Sequence, residues 1–177
     1  MNVETERLET QLKRILEGKA WHGPSILEVL QDVTAESAYA HPVSGAHSIW
    51  EIVLHVASTY RLVLRRIQGN DLPLRPEDDW PSLPPPTPSD WQNAIRSLRR
   101  LNEEIRQAVR AFGPERLDKP LVATPPYTAY TQFIGITQQC LSRWSNRGAQ
   151  EGAAVYFESG GTCLRVPFCL ATSSKVG

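Results

Sequence analysis

The chain has 177 residues, with 19 lysines and arginines balanced by 19 aspartates and glutamates. This length predicts one domain with a sizeable core, and zero net charge disfavours a nucleic-acid binder because no basic field attracts phosphates. No apolar run approaches the roughly 20 residues that a membrane span needs, and the charged N-terminus lacks the apolar centre of a signal peptide. We therefore expect a cytoplasmic protein that binds neither nucleic acid nor membranes.

Helical periodicity begins close to the N-terminus. Residues 4–17 place apolar side chains at helical spacing and stop before Gly18, a residue type that often follows a helix. Residues 25–33 predict a short helix or lid, with Pro24 suited to its first turn. Residues 34–45 are small and polar, and they predict a loop that leads into the next helix.

Residues 48–68 carry the clearest helical pattern and form the centre of the predicted fold. The helix starts at His47 or Ser48, and its apolar positions predict one wide buried stripe: Ile49, Ile52, Val53, Val56, Tyr60, Val63, Leu64 and Ile67. His55 lies at the margin of this stripe, where it could bind a metal, act as a general base, or pack with a solvated tip. Glu51 could be a second ligand or could orient His55, although a surface Glu–His pair is commoner.

The other histidines offer no ligand pattern. His47 and His55 are eight residues apart, which is about 12 Å along a helix and too far for both to bind one ion. His22 and His41 lie in predicted loops, and we expect both to be structural or solvent-exposed.

Prolines dominate the stretch that follows the central helix, at positions 73, 76, 81, 84, 85, 86 and 88. Because proline lacks an N–H and fixes φ, the stretch predicts an extended crossover without helix, lying over one end of a bundle. A long helix then begins after Thr87 and ends before Gly113. Its basic residues between 96 and 110 are interleaved with glutamates, which favours a solvated face over a nucleic-acid site.

The last convincing helix spans residues 127–141, with Tyr130 in its buried stripe. Four main helices, a long proline-rich crossover and no strand pattern predict an all-α four-helix bundle. Residues 142–177 show no sustained period. We therefore divide the chain into a helical bundle domain, 1–141, and an atypical tail, 142–177, and expect the last helix to be truncated or irregular.

Several segments carry a family resemblance. From Trp21 to Leu141 the chain contains, in order, WHGPSILEVLQDV, AHSIWEIVLHVASTYRLVLRRIQG, the WPSLP crossover, ERLDKPL and PYTAYTQFIGITQQCL. Together these strings resemble the DinB and YfiT-like helical bundle family. The resemblance implies a four-helix bundle, often dimeric, with a three-histidine site for a divalent metal such as zinc or nickel. It also implies a metal-dependent hydrolase or thiol S-transferase that acts on a small molecule.

The resemblance places the first metal ligand on His55, the second on Gln139 and the third on Arg143. An amide oxygen is a weak ligand for zinc or nickel, and a protonated guanidinium repels a cation. We therefore expect metal binding to be weak or absent, with Glu51 as a candidate helper. The alternative is a non-catalytic bundle that binds a small apolar molecule or acts only through dimerisation.

The tail can be read in the neighbouring frame. Codons chosen for residues 142–152 spell HAGQIAALKKA when shifted by one base, and HAGQI resembles the end of the family's last helix. In this string the glycine is forced because tryptophan, at Trp144, has a single codon. The two lysine positions must be basic because of the residues around Glu151. We predict that residues from Ser142 onward are a shifted-frame translation. The tail should then pack poorly, leaving exposed the aromatic side chains of Trp144, Tyr156, Phe157 and Phe168.

Overall fold

The computed structural model describes residues 3–18, 24–42, 46–83, 85–123 and 126–144, the side chains of 139–144 excepted. Its helices are α1 (Val3–Glu17), α2 (Ile26–Val29), α3 (Ala35–Tyr39), α4 (Ile49–Ile67), α5 (Pro76–Asp79), α6 (Pro88–Ala111) and α7 (Ala129–Trp144), with a 3-10 turn at Pro114–Arg116. Within these ranges the chain forms no strand, only one isolated bridge between Pro120 and Thr128. The all-α prediction is confirmed.

Four long helices form the bundle. Helix α4 packs against α6 and α7, and α1 packs against the same two helices, so the four contacts close into a ring. The core between them is mainly apolar: Leu12, Val53, Leu98 and Phe133, one from each long helix, are fully buried. Trp50 and Trp91 contact each other at a ring-centroid distance of 5.3 Å and are also buried.

The main helix limits follow their sequence signals. Helix α1 ends before Gly18, which adopts a φ of 126° that favours glycine. Helix α4 begins after Ser48, whose side chain accepts the Glu51 N–H while the Glu51 carboxylate accepts the Ser48 N–H. This reciprocal pair is a capping box. At the start of α6, Thr87 accepts the N–H of Asp90 in the same way.

Two short helices lie where the sequence predicted irregular chain. Helix α3 forms because Thr34 accepts the Ser37 N–H, after which Ala35 and Ala38 are buried on one side. Helix α5 is one turn that begins at Pro76, since the fixed φ of proline suits the first helical position. The predictions of a loop over 34–45 and of a crossover without helix were therefore wrong at these two places.

Two smaller details also differ from the sequence analysis. Ser25 caps α2, so Pro24 precedes that helix and does not lie in its first turn. Tyr130 is 37 % exposed and does not belong to the buried stripe of α7, because that stripe follows Ala129, Phe133 and Ile136. Helix α7 continues to Trp144, and the predictions for the tail beyond it, including the exposure of its aromatic side chains, lie outside the described residues.

A buried ion-pair network joins α1 to α6. The Arg106 Nε lies 2.6 Å from Glu9 Oε1, and its Nη1 lies 3.2 Å from Glu17 Oε1 and 3.0 Å from Glu103 Oε2. The Arg106 side chain is only 8 % exposed. The prediction that the basic residues of α6 form a solvated face is therefore wrong for Arg106, which binds α1.

The segment between α4 and α6 crosses one end of the bundle. We call its residues 70–83 the strap; they include α5, and Leu83 packs against the core. Within the described ranges, none of the helices is both long enough and apolar enough to cross a bilayer.

Candidate functional site

His55 lies in the N-terminal half of α4 and is the histidine that the sequence analysis singled out. The predicted position at the margin of the stripe would leave its tip solvated, yet the residue is 4 % exposed. The difference arises from the strap, which covers this side of α4. His55 Nδ1 lies 2.8 Å from the Asp79 Oδ1 and 3.2 Å from the Asp79 backbone oxygen.

The carboxylate of Asp79 determines what the His55 ring can do. In the neutral imidazole, a hydrogen bond to this acceptor places the proton on Nδ1 and the lone pair on Nε2. Carboxylate–histidine pairs of this kind orient metal ligands and general bases alike. The pair with Asp79 therefore fixes the tautomer of His55, and it is compatible with a metal ligand and with a general base.

Trp80 lies between two imidazoles. Its ring stacks on His47 at a centroid distance of 3.5 Å with planes 7° apart, and on His55 at 4.1 Å with planes 6° apart. The sequence analysis excluded a shared ion for His47 and His55 because of their separation along the helix. The structure fills the space between them with an indole from the strap.

Glu51 is held at the first turn of α4. Its Oε2 accepts the Ser48 N–H at 2.6 Å and lies 2.9 Å from His41 Nε2 and 3.5 Å from His47 Nδ1. Burial raises the pKa of the Glu51 carboxyl, but the hydrogen bonds from Ser48 and His41 and the charges of both histidines lower it below its ordinary value. Glu51 is thus an ionised cap that binds His41, and His41 is partly exposed as expected.

The end of α4 is joined to the start of α7. Arg66 Nη1 donates to Gln132 Oε1 at 2.9 Å, and the two helices pack against each other. Gln139 and Arg143 follow further along α7. The side chains of Gln139 and Arg143 lie outside the described part, as does His22.

The available donors do not fit a tightly bound zinc or nickel ion. Among the side chains described, no group of three or more histidine, cysteine, aspartate or glutamate residues could hold a metal. At the positions given by the resemblance the side chains are one imidazole at His55, one amide at Gln139 and, at Arg143, one guanidinium that offers no lone pair to a metal. Zinc sites use three or four imidazole, thiolate or carboxylate ligands.

A separate open groove of about 590 Å³ lies between the end of α1, α2 and α6. Its lining includes Leu27 and Ile95 beside the charged residues Glu17, Glu28 and Arg99. This mixed lining does not make the groove an apolar pocket of the kind that the alternative hypothesis predicts.

Sequence reasoning found His55 but missed Asp79 and Trp80. The string EDDWP, residues 77–81, was their only signal, because a tryptophan is unexpected in an exposed crossover. Neither residue belongs to a periodic pattern. Their approach to His55 depends on where the strap crosses the bundle.

Comparison with known proteins agrees with this architecture. The sequence matches the DinB superfamily over residues 21–141, a span that includes α2 to α6, the strap, His55 and most of α7. No curated protein matches the sequence. The match covers about two thirds of the chain and includes the helix that carries the candidate site. The chain therefore belongs to the DinB superfamily.

Proposed function

We propose that this protein is a metal-impaired member of the DinB superfamily that binds a small molecule at the His55 end of the bundle. In this proposal it derives from a metal-dependent hydrolase or thiol S-transferase and no longer acts as one. Zinc or nickel would bind weakly at most. The protein would be cytoplasmic, and it would be homodimeric, as the family resemblance implies.

One observation carries the proposal, namely what surrounds the His55 ring. Its Nδ1 is paired with Asp79 at 2.8 Å, and its face is covered by Trp80 at 4.1 Å. These neighbours orient the imidazole and exclude water from it. A metal ion would bind Nε2 in the plane of the ring, and the two other family positions, on α7, offer only Gln139 and Arg143.

Zinc titration of matched variants tests the proposal. We expect wild-type protein and His55→Ala to bind zinc equally weakly, because one imidazole does not hold the ion. A double variant, Gln139→His with Arg143→His, should bind zinc at least 100-fold more tightly, since it provides three imidazoles. Adding His55→Ala to the double variant should abolish that gain.

The controls are circular dichroism melts of all four proteins, which should agree within a few degrees. Zinc binding by the wild type with a submicromolar Kd that His55→Ala removes would contradict the proposal. A double variant that melts like the wild type yet gains no affinity would contradict the assigned ligand positions.

We also propose that the third ligand was lost through a shifted reading frame at Ser142. The support is the string HAGQIAALKKA, which the neighbouring frame can encode over residues 142–152. We expect the codons of residues 142–146 to spell His-Ala-Gly-Gln-Ile in that frame. Sequencing the gene decides the point, and any other spelling refutes it. Gln139 remains glutamine in either frame.

A further inference from the structure

In the stack of His47, Trp80 and His55, the indole fills a space one aromatic ring thick between the two imidazoles. We call this space the slot. The two imidazoles face each other across the Trp80 ring and are both parallel to it within 7°. Both are carried by or next to α4, two helical turns apart, so the rigid bundle holds the two walls of the slot. The ring that fills it comes from the strap.

The strap segment that carries Trp80 is a short turn with an internal ion pair. None of the four residues of α5 is fully buried, and α5 packs on α4. Within the segment, Arg75 Nε donates to Asp78 Oδ2 at 2.6 Å and Arg75 Nη2 donates to Asp78 Oδ1 at 3.0 Å. This internal pair and the flanking prolines can keep the turn intact when it moves, and elements with little buried surface open most easily.

We propose that the slot between His47 and His55 is a binding site for a fused bicyclic nitrogen heterocycle, and that Trp80 occupies it as an internal stand-in that the ligand displaces. The inference deepens the small-molecule role proposed above and rests on it. The indole of Trp80 defines the size and flatness of the ligand ring.

The rim of the slot defines the polarity of the ligand. A carboxylate stands beside the His47 wall: Glu51 Oε2 lies 3.5 Å from His47 Nδ1, and Glu51 belongs to α4 and stays in place when the strap moves. A carboxylate accepts hydrogen bonds, so a ring N–H or a positively charged ring nitrogen suits the rim, whereas an anionic ring does not. Stacking between parallel rings adds affinity without requiring a particular substituent.

Indole is the probe, and imidazole proton NMR is the readout. In Trp80→Gly the slot is open, and we expect indole to bind with the ring-current shifts concentrated on His47 and His55. In the wild type the same two imidazoles should respond, together with the Trp80 indole N–H, but with at least tenfold weaker affinity. The weakening follows because only the fraction of molecules with Trp80 displaced can bind.

The matched controls are two histidine variants. His47→Ala removes one wall and should weaken indole binding at least tenfold in the Trp80→Gly background. His41→Ala removes a histidine that binds Glu51 outside the stack, and it should change the affinity less than twofold. If both variants weaken binding equally, the slot is not the site.

Two further outcomes overturn the proposal. One is a folded Trp80→Gly protein whose His47 and His55 resonances ignore indole. The other is a wild type whose imidazoles do not respond to indole at 100 times the Kd of Trp80→Gly, which would make Trp80 a fixed structural residue.

If Trp80→Gly does not fold, the wild-type titration decides. No response of its imidazoles up to the solubility limit of indole would then count against the slot. Tight zinc binding by the wild type would overturn the proposed function. Indole binding is measured independently by NMR, so the slot can fail or hold whatever the zinc titration shows.

Discussion

Val53→Asp is expected to give no soluble, cooperatively folded protein. Val53 is fully buried in α4 at the centre of the bundle. An aspartate there places a carboxylate among apolar side chains, which costs several kcal/mol whether it stays charged or binds a proton. That cost is a large share of the roughly 5–15 kcal/mol that stabilises a typical domain. Soluble yield and a circular dichroism melt measure the effect.

The matched control places the same aspartate on the surface. Leu72 in the strap is 66 % exposed, so Leu72→Asp should change the free energy of unfolding by no more than about 0.5 kcal/mol. A soluble Val53→Asp protein that melts cooperatively near the wild-type temperature would show that α4 does not bury this face.

Arg106→Met is expected to lower the free energy of unfolding by about 3 kcal/mol. The methionine keeps the aliphatic packing but leaves the Glu9 carboxylate, which is 14 % exposed, with only Arg110 at 3.5 Å. A largely buried carboxylate that loses its shortest ion pair is destabilised. For a protein of this length the loss corresponds to a fall in Tm of roughly 10 °C, measurable by calorimetry or circular dichroism.

An exposed ion pair on the same helix provides the comparison. Arg100 lies 2.6 Å from Glu104, but its side chain is 63 % exposed, so Arg100→Met should cost less than about 0.5 kcal/mol. Equal effects of the two substitutions would mean that the Arg106 network does not stabilise the contact between α1 and α6.

The fold was predictable where local signals and periodicity agree. Helices α4 and α6 have both a capping hydroxyl, at Ser48 and Thr87, and an apolar stripe repeated over several turns. Helix α3 was missed because five residues are too few to show a period, and its stability depends on the Thr34 cap and two buried alanines. Helix α5 was missed because proline was treated as a helix breaker, although it favours the first helical turn.

The candidate site was predictable only in part. His55 was found because it interrupts an apolar stripe on a long helix. Its partners Asp79 and Trp80 follow it by 24 and 25 residues and lie on a strap without periodicity, so their contact is a property of the tertiary fold. Arg106 was placed on the wrong face because an arginine in a charged run is usually solvated, whereas here two glutamates of α1 bind it.

Metal content is the measurement that tests the central claim most directly. Protein purified without chelators and without a histidine tag is analysed for zinc and nickel by mass spectrometry, beside His55→Ala prepared in the same way. We predict well under one tenth of a metal ion per chain in both proteins, because a single oriented imidazole does not retain the ion. Close to one zinc or nickel ion per wild-type chain, lost in His55→Ala, would contradict the account.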